Sequence, residues 1–201
     1  MYQPQEQLSP IKSFLCIFIS VMSAIVVSLG IIMLIVYLVF KPRNPEFQVN
    51  SAQLTFLTLT GNYLTAKWNI DIIISNPNKK LDISYNPVSA SVFYSKDINQ
   101  FGPISNIPLK PFYQPKKSKA VVRFETQVTN LFVSSGVASG IVNGQFHHSL
   151  QFGVEFRAFV MRTGLFHPKN SWFKVTCAPI NFVVGSTAAI WDLERPVKCK
   201  I

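Results

Sequence analysis

From Phe14 to Phe40 the chain carries no charged residue and no proline. At 1.5 Å per residue, a helix over this run would be about 40 Å long, against a bilayer hydrocarbon core of roughly 30 Å. The run therefore predicts a membrane-spanning helix, tilted or with its ends among the headgroups. A buried core helix seldom runs so far without a polar face. A cleavable signal peptide has a shorter apolar region, about 7–15 residues, closed by a small-x-small site. This run closes instead on Tyr37-Leu38-Val39-Phe40 followed by Lys41-Pro42-Arg43, which suits a bilayer boundary. We expect an uncleaved signal anchor over residues 13–40, a tail over 1–12, a linker over 41–50 and a single domain over 51–201. The flanking charges are Lys12, partly offset by Glu6, against Lys41 and Arg43. On the positive-inside rule they lean weakly toward a cytoplasmic C-terminal domain. Ser20, Ala24 and Ser28 recur every fourth residue, so they share a helix face where small side chains would admit a second helix.

The rest of the chain is folded and basic. Its 48% hydrophobic and 14% charged residues exclude a disordered tail. Only Lys12 and Glu6 precede residue 41 among the 19 Lys+Arg and 9 Asp+Glu, so the whole net charge of +10 falls on residues 41–201. The apolar pattern there has period two. Trp68, Ile70, Ile72 and Ile74 alternate with Lys67, Asn69, Asp71 and Ile73; Val88–Tyr94, Val122–Val128, Val154–Val160 and Phe173–Cys177 alternate likewise. Alternation sends one set inward and the other toward solvent or a second layer. Gly61-Asn62 reads as a hairpin between Gln53–Thr60 and Tyr63–Ser75, and Asn76-Pro77-Asn78, Asn86-Pro87, Gly102-Pro103 and Pro111–Pro115 mark further breaks. Strands at this spacing, with no βαβ rhythm, predict an all-β antiparallel sandwich. One stretch, Asn130–Asn143, reads as a short helix or a loop crossing between sheets, weakened as a helix by Gly136 and Gly140.

Chemistry-bearing residues are sparse. Cys16 lies in the apolar run, while Cys177 and Cys199 fall on the last two predicted strands; both a disulfide and two separate thiols are open on this pattern. His147 and His148 are neighbours and would face opposite ways on a strand, and His167 stands apart. No HExxH, CxxC, GxSxG or phosphate-loop pattern occurs. We expect no enzyme, no metal and no cofactor. Lys110, Lys116, Lys117, Lys119 and Arg123 crowd one loop and strand start, interleaved with Phe112 and Tyr113. Such a run is most often a solvated loop; its functional reading is a patch for anionic lipid, acidic cell-wall polysaccharide or an acidic partner. Nucleic acid is not expected, since no recognition motif is present and a span would misplace the domain. The 17 Phe either fill a core or line an apolar groove between sheets.

Several runs together resemble a known family. They are Lys41-Pro42-Arg43-Asn44-Pro45-Glu46-Phe47-Gln48-Val49 after the span, then Ile70-Asp71-Ile72-Ile73-Ile74-Ser75 leading into Asn76-Pro77-Asn78-Lys79-Lys80. Tyr85 with Val88–Tyr94 follows, and then Leu109-Lys110-Pro111-Phe112-Tyr113-Gln114. In order and spacing they resemble the plant NDR/HIN-like proteins, which carry the group-2 late-embryogenesis-abundant domain, also called the water-stress and hypersensitive-response domain. The resemblance implies a fibronectin-III-like sandwich with one short helix, at the plasma membrane, with the tail cytosolic and the domain outside. It implies non-catalytic roles in defence or stress response through protein partners of immune signalling or through lipid contacts. The alternative is a module holding a lipid or apolar ligand beside the bilayer. It also implies late paired cysteines, hence a Cys177–Cys199 disulfide, which would set the orientation against the charge count. Asn143-Gly144-Gln145 stands nearest to the family's NGD tripeptide, so that adhesion role is not carried over. The closing run Pro196–Ile201 has no apolar tail, and no lipid-anchor signal is expected. No Asn-x-Ser/Thr sequon occurs, which is unexpected for an exposed plant domain.

Overall fold

The computed structural model describes residues 10–40, 42–94, 102–163, 170–185 and 189–201. The chain divides into two compact units, Met1–Pro42 and Arg43–Ile201. The first holds helix α1, Pro10–Phe40. Proline at a helix start is well placed, since its missing N–H has no partner there in any helix. Within α1, Ser13–Leu38 is long and apolar enough to cross a membrane, and none of its most apolar window is buried. An apolar surface of that extent needs a non-aqueous surrounding.

The second unit begins β1 (Glu46–Thr60), β2 (Tyr63–Ser75), β3 (Asp82–Tyr94), β4 (Ser105–Leu109), β5 (Phe112–Gln114) and β6 (Lys119–Phe132). Helix α2 (Ser135–Phe146) follows, then β7 (Ser149–Thr163), β8 (Ser171–Val184), β9 (Ile190–Leu193) and β10 (Val197–Lys198). The described ladders are all antiparallel. They run in the order β4-β3-β7-β8-β9-β1-β2-β6, with β5 beside β3 and β10 beside β1. The short strand β9 pairs with β8 on one side and β1 on the other, so the sheet curls over and closes most of the way round. The result is a near-barrel antiparallel sandwich, the all-β class that the period-two pattern predicts.

The alternation explains the core. Trp68, Ile70, Ile72 and Ile74 are buried, and the residues between them are not. Across the interior, the Phe152 ring of β7 meets Trp68 of β2, Tyr94 of β3 and Phe182 of β8 edge-on, with centroids 5.5, 5.8 and 6.0 Å away. Such pairs add about 0.5–1.5 kcal/mol each beyond area burial. The phenylalanines inside thus bind the two halves together.

Two boundaries differ from expectation. β1 starts at Glu46, inside the stretch 41–50 expected as linker, because Phe47 and Val49 already point into the core. The helix occupies Ser135–Phe146, while Leu131 and Phe132 belong to β6. Ser134 supplies the missing start signal: its Oγ accepts from the Val137 N–H at 3.3 Å. Gly140, which weakens the helix intrinsically, is required by packing. A Cβ there would lie 2.8 Å from Cζ of Tyr94. Val137, Ala138 and Ile141 form the buried face that stabilises the helix.

Candidate functional site

The site is built by the turn between β2 and β3. Pro77 fixes its own φ and keeps Asn76 extended, which turns the Asn76 side chain inward. That side chain is 2% exposed. Its Nδ2 donates to the carbonyls of Leu81 at 2.9 Å and Pro115 at 3.0 Å. Its Oδ1 accepts from the backbone N–H and Nδ2 of Asn78 at 3.0 and 2.9 Å. Asn78 grips the chain where it emerges from the first unit: its Nδ2 donates to the Arg43 carbonyl and its Oδ1 accepts from the Arg43 N–H, both at 2.8 Å. Backbone bonds from Asn76 to Ser118 and from Lys117 to Asn78, each 2.9 Å, add the β5–β6 turn. Gln114, buried, donates to Ile74 at 2.8 Å and Ser118 at 3.0 Å and accepts from the Tyr85 hydroxyl at 3.1 Å. Three segments far apart in sequence are thereby tied in one knot of satisfied polar groups.

The knot's outer surface is basic. Arg43, Lys79, Lys80, Lys116, Lys117 and Lys119 are all exposed on it. Of the residues singled out by sequence, Lys116, Lys117 and Lys119 come together here. Lys110 is exposed on the neighbouring β4–β5 turn. Arg123 leaves the group: it lies four residues along β6, opposite Asp71, and pairs with that carboxylate at 3.2 Å. Sequence reasoning missed Arg43, Lys79 and Lys80, although Lys79-Lys80 directly follows the asparagine turn. Asp82 accepts from the Lys116 N–H at 2.8 Å. It also bonds the exposed Tyr113 hydroxyl, which raises that phenol above its ordinary range. Arg162, beneath this surface, donates to Asn44 Oδ1 at 3.2 Å and lies 5.0 Å from the centroid of the Phe173 ring. Burial lowers its pKa, and burial raises that of Tyr85.

Elsewhere, Glu155 is buried on β7 between Arg157 and Lys174, the latter at 2.9 Å. Burial works to raise the Glu155 carboxyl, but hydrogen bonds from Lys174 and Arg157 outweigh it and hold the group below its ordinary range. Cys177 and Cys199 are joined, with Cα atoms 4.2 Å apart, fastening the C-terminal segment to β8. Ser20, Ala24 and Ser28 lie exposed on α1, and the Ser28 hydroxyl donates within the helix to Ile25 at 2.8 Å. His147 and His148 are exposed after α2, and His167 lies outside the described residues. Among the described residues no three His, Cys, Asp or Glu gather as metal ligands.

The opposite pole of the sandwich has another character. Its described residues within 47–66 and 126–154 include no Asp, Glu, Lys or Arg. Phe56, on a β1 bulge with φ 54°, is 71% exposed, and Phe146 at the end of α2 is 79% exposed. Tyr63 and Phe132 stack edge-on with centroids 5.8 Å apart, both exposed. A cavity of about 660 Å³ opens between the Phe56 bulge, Gln145, His148 and Ile190-Trp191.

One span-capable helix among the described residues, followed within a few residues by a near-barrel sandwich with a basic pole at one end and exposed rings at the other, defines a class of sandwich-bearing proteins with a single candidate span. The comparisons narrow it: several Arabidopsis thaliana NDR1/HIN1-like proteins are homologues of this chain. It is similar to Arabidopsis thaliana NDR1/HIN1-like protein 10, 31% identical over 65% of this chain and 56% of that protein. The match thus spans little more than half of that relative. NDR1/HIN1-like protein 3 is 28% identical over 93% of this chain and 80% of its own length, and NDR1/HIN1-like protein 6 is 36% identical over 45% and 35%. No family model matches the chain.

Proposed function

We propose that this is a single-pass plasma-membrane protein with its tail in the cytosol and its sandwich outside. It takes part, without catalysis, in plant defence or stress responses through protein contacts of the sandwich. Kinship to NDR1/HIN1-like proteins supports the defence or stress role. The apolar run of α1 supports the anchor, and the joined Cys177 and Cys199 support an oxidising compartment. The observation that carries the contact role is the filled interior together with exposed rings at the uncharged pole. Exposed aromatics are the side chains most enriched at protein interfaces.

Tags at both ends, probed by protease on intact protoplasts, test the topology. Loss of the C-terminal tag with retention of the N-terminal one is expected, and a protected C-terminal domain overturns it. Surface cross-linking of the chain bearing Phe56→Asp and Phe146→Asp tests the contact role; cross-linked partners should vanish while the melting temperature holds. A second reading, a module holding an apolar ligand, draws on the cavity beside Phe56 and Trp191. A lipid recovered in stoichiometric amount with the purified chain would favour it.

A further inference from the structure

We propose that the basic pole is a docking surface for the anionic headgroups of the bilayer that holds α1, with the asparagine knot as the device that assembles it. This rests on the membrane anchoring proposed above.

Two sets of cations on the sandwich contrast. Four on the strand faces are neutralised: Lys67 pairs with Glu125 at 2.8 Å, Arg123 with Asp71, and Arg157 and Lys174 with Glu155. Five of those on the knot are not. Among the described residues no ion pair engages the side chains of Arg43, Lys79, Lys116, Lys117 or Lys119. Two acids lie on these segments, Glu46 and Asp82, and Asp82 is already engaged by the Lys116 N–H and the Tyr113 hydroxyl. Five cations on three adjoining segments repel one another. They are nevertheless held there by buried amides, whose bonds would be costly to leave unmade. Fixed positive charge of this kind is matched by anions from outside the chain.

Chain length and side-chain type select which anions. Arg43 follows the last residue of α1, Phe40, by three residues, a covalent reach of about 10 Å even when fully extended. The basic surface is therefore leashed to the bilayer that α1 enters. The same pole carries two exposed amphipathic rings. Tyr113 lies beside Ser84 on β5, and Trp172 lies beside Phe159 at the start of β8. The register sets Phe112, Tyr85, Val160 and Ser171 in one row across β5, β3, β7 and β8, which places both rings on this rim. Tyr and Trp beside Lys and Arg are the residue types that settle at headgroup depth. An acidic polysaccharide would give no reason for the cations to gather where the chain leaves the helix.

The full chain in vesicles of phosphatidylcholine, with and without phosphatidylserine, tests this directly. Flotation first establishes insertion. Amine acylation at Lys79, Lys116, Lys117 and Lys119 is then read by mass spectrometry. Trp172 is read by quenching from lipids brominated near the headgroup, over the constant background of the buried Trp68 and Trp191. Expected are about tenfold slower acylation and added quenching in phosphatidylserine vesicles alone, both reversed by high salt. The joint variant K79E/K116E/K117E/K119E should lose the Trp172 quenching, while Lys174→Glu, on a strand face, should keep it. Equal acylation and quenching in the two lipids, with insertion intact, overturns the docking and leaves the anchoring. Protection by polygalacturonate in phosphatidylcholine vesicles without protection by phosphatidylserine overturns it in favour of a wall polysaccharide. Failure to float at all overturns the anchoring, and the docking with it.

Discussion

The two poles of the sandwich solve the problem of chain ends differently. At the pole that holds Arg43, turns are tied by side-chain amides and their outer surface is charged. At the far pole a short helix rests on Tyr94, and among the described residues within 47–66 and 126–154 the surface has rings and no formal charge. Amide bonds are directional and need water kept away on one side only, so charged groups can stand just outside them. Helix packing needs apolar contact, which leaves apolar residues over at the rim. One fold can thus present two chemically distinct ends, one suited to anions and one to the apolar surface of another protein.

Substitutions can break or sharpen this contrast. The largest effect is expected from Asn76→Ala, which strips four hydrogen bonds from the knot and leaves the Leu81 carbonyl and the Asn78 N–H unmet; the loss should be about 3–4 kcal/mol in urea unfolding. Limited proteolysis should then cut within 111–119 while α2 stays intact. Cys199→Ser should cost about 3 kcal/mol on the loop-entropy estimate, read as a lowered melting temperature that reductant no longer changes. At the far pole Ser134→Ala should cost only about 1 kcal/mol, through loss of the helix cap. Equal losses from Asn76→Ala and Ser134→Ala would erase the distinction drawn between the poles.

The smallest effect is a pH dependence that belongs to neither pole. The folded Glu155 carboxyl sits below its ordinary value, so its contribution is fully present above the unfolded pKa and fades as pH falls through the folded one. Stability should decline on acidification below the ordinary glutamate range. Glu155→Gln should flatten that part of the profile, measured by denaturant midpoint against pH.

Much of the sandwich was legible because period-two burial is a local signal. Val154, Phe156, Ala158 and Val160 are inside as their alternation predicts. Glu155, between them, is buried too, because Lys174 on the neighbouring strand reaches it, and no spacing within β7 announces that. The helix begins five residues after the start of the stretch Asn130–Asn143 that composition offers as a helix or loop crossing, because the sheet pairs Leu131 and Phe132 with Leu64 and Tyr63. The asparagine turn reads in sequence as a local bend. Its side chains act on Arg43 and Pro115, which are 35 and 39 residues away, and only the fold brings those into range. The basic site was therefore half visible: one loop of lysines could be read, and the segments that complete it could not. The left-handed Phe56, an unusual conformation for a bulky residue, left no sequence signal either.

The closing strand has a practical corollary. Lys198 lies opposite Gln48, and the Cys199 N–H donates to the Phe47 carbonyl at 3.0 Å, so the last residues run alongside the first ones of the sandwich. Whatever continues beyond Ile201, a reporter or an epitope, would leave the molecule near Arg43 and jostle the lysines there. An insertion at the Gly61-Asn62 hairpin would instead burden the other pole. The choice of attachment point thus decides which of the two faces a labelled protein can still use.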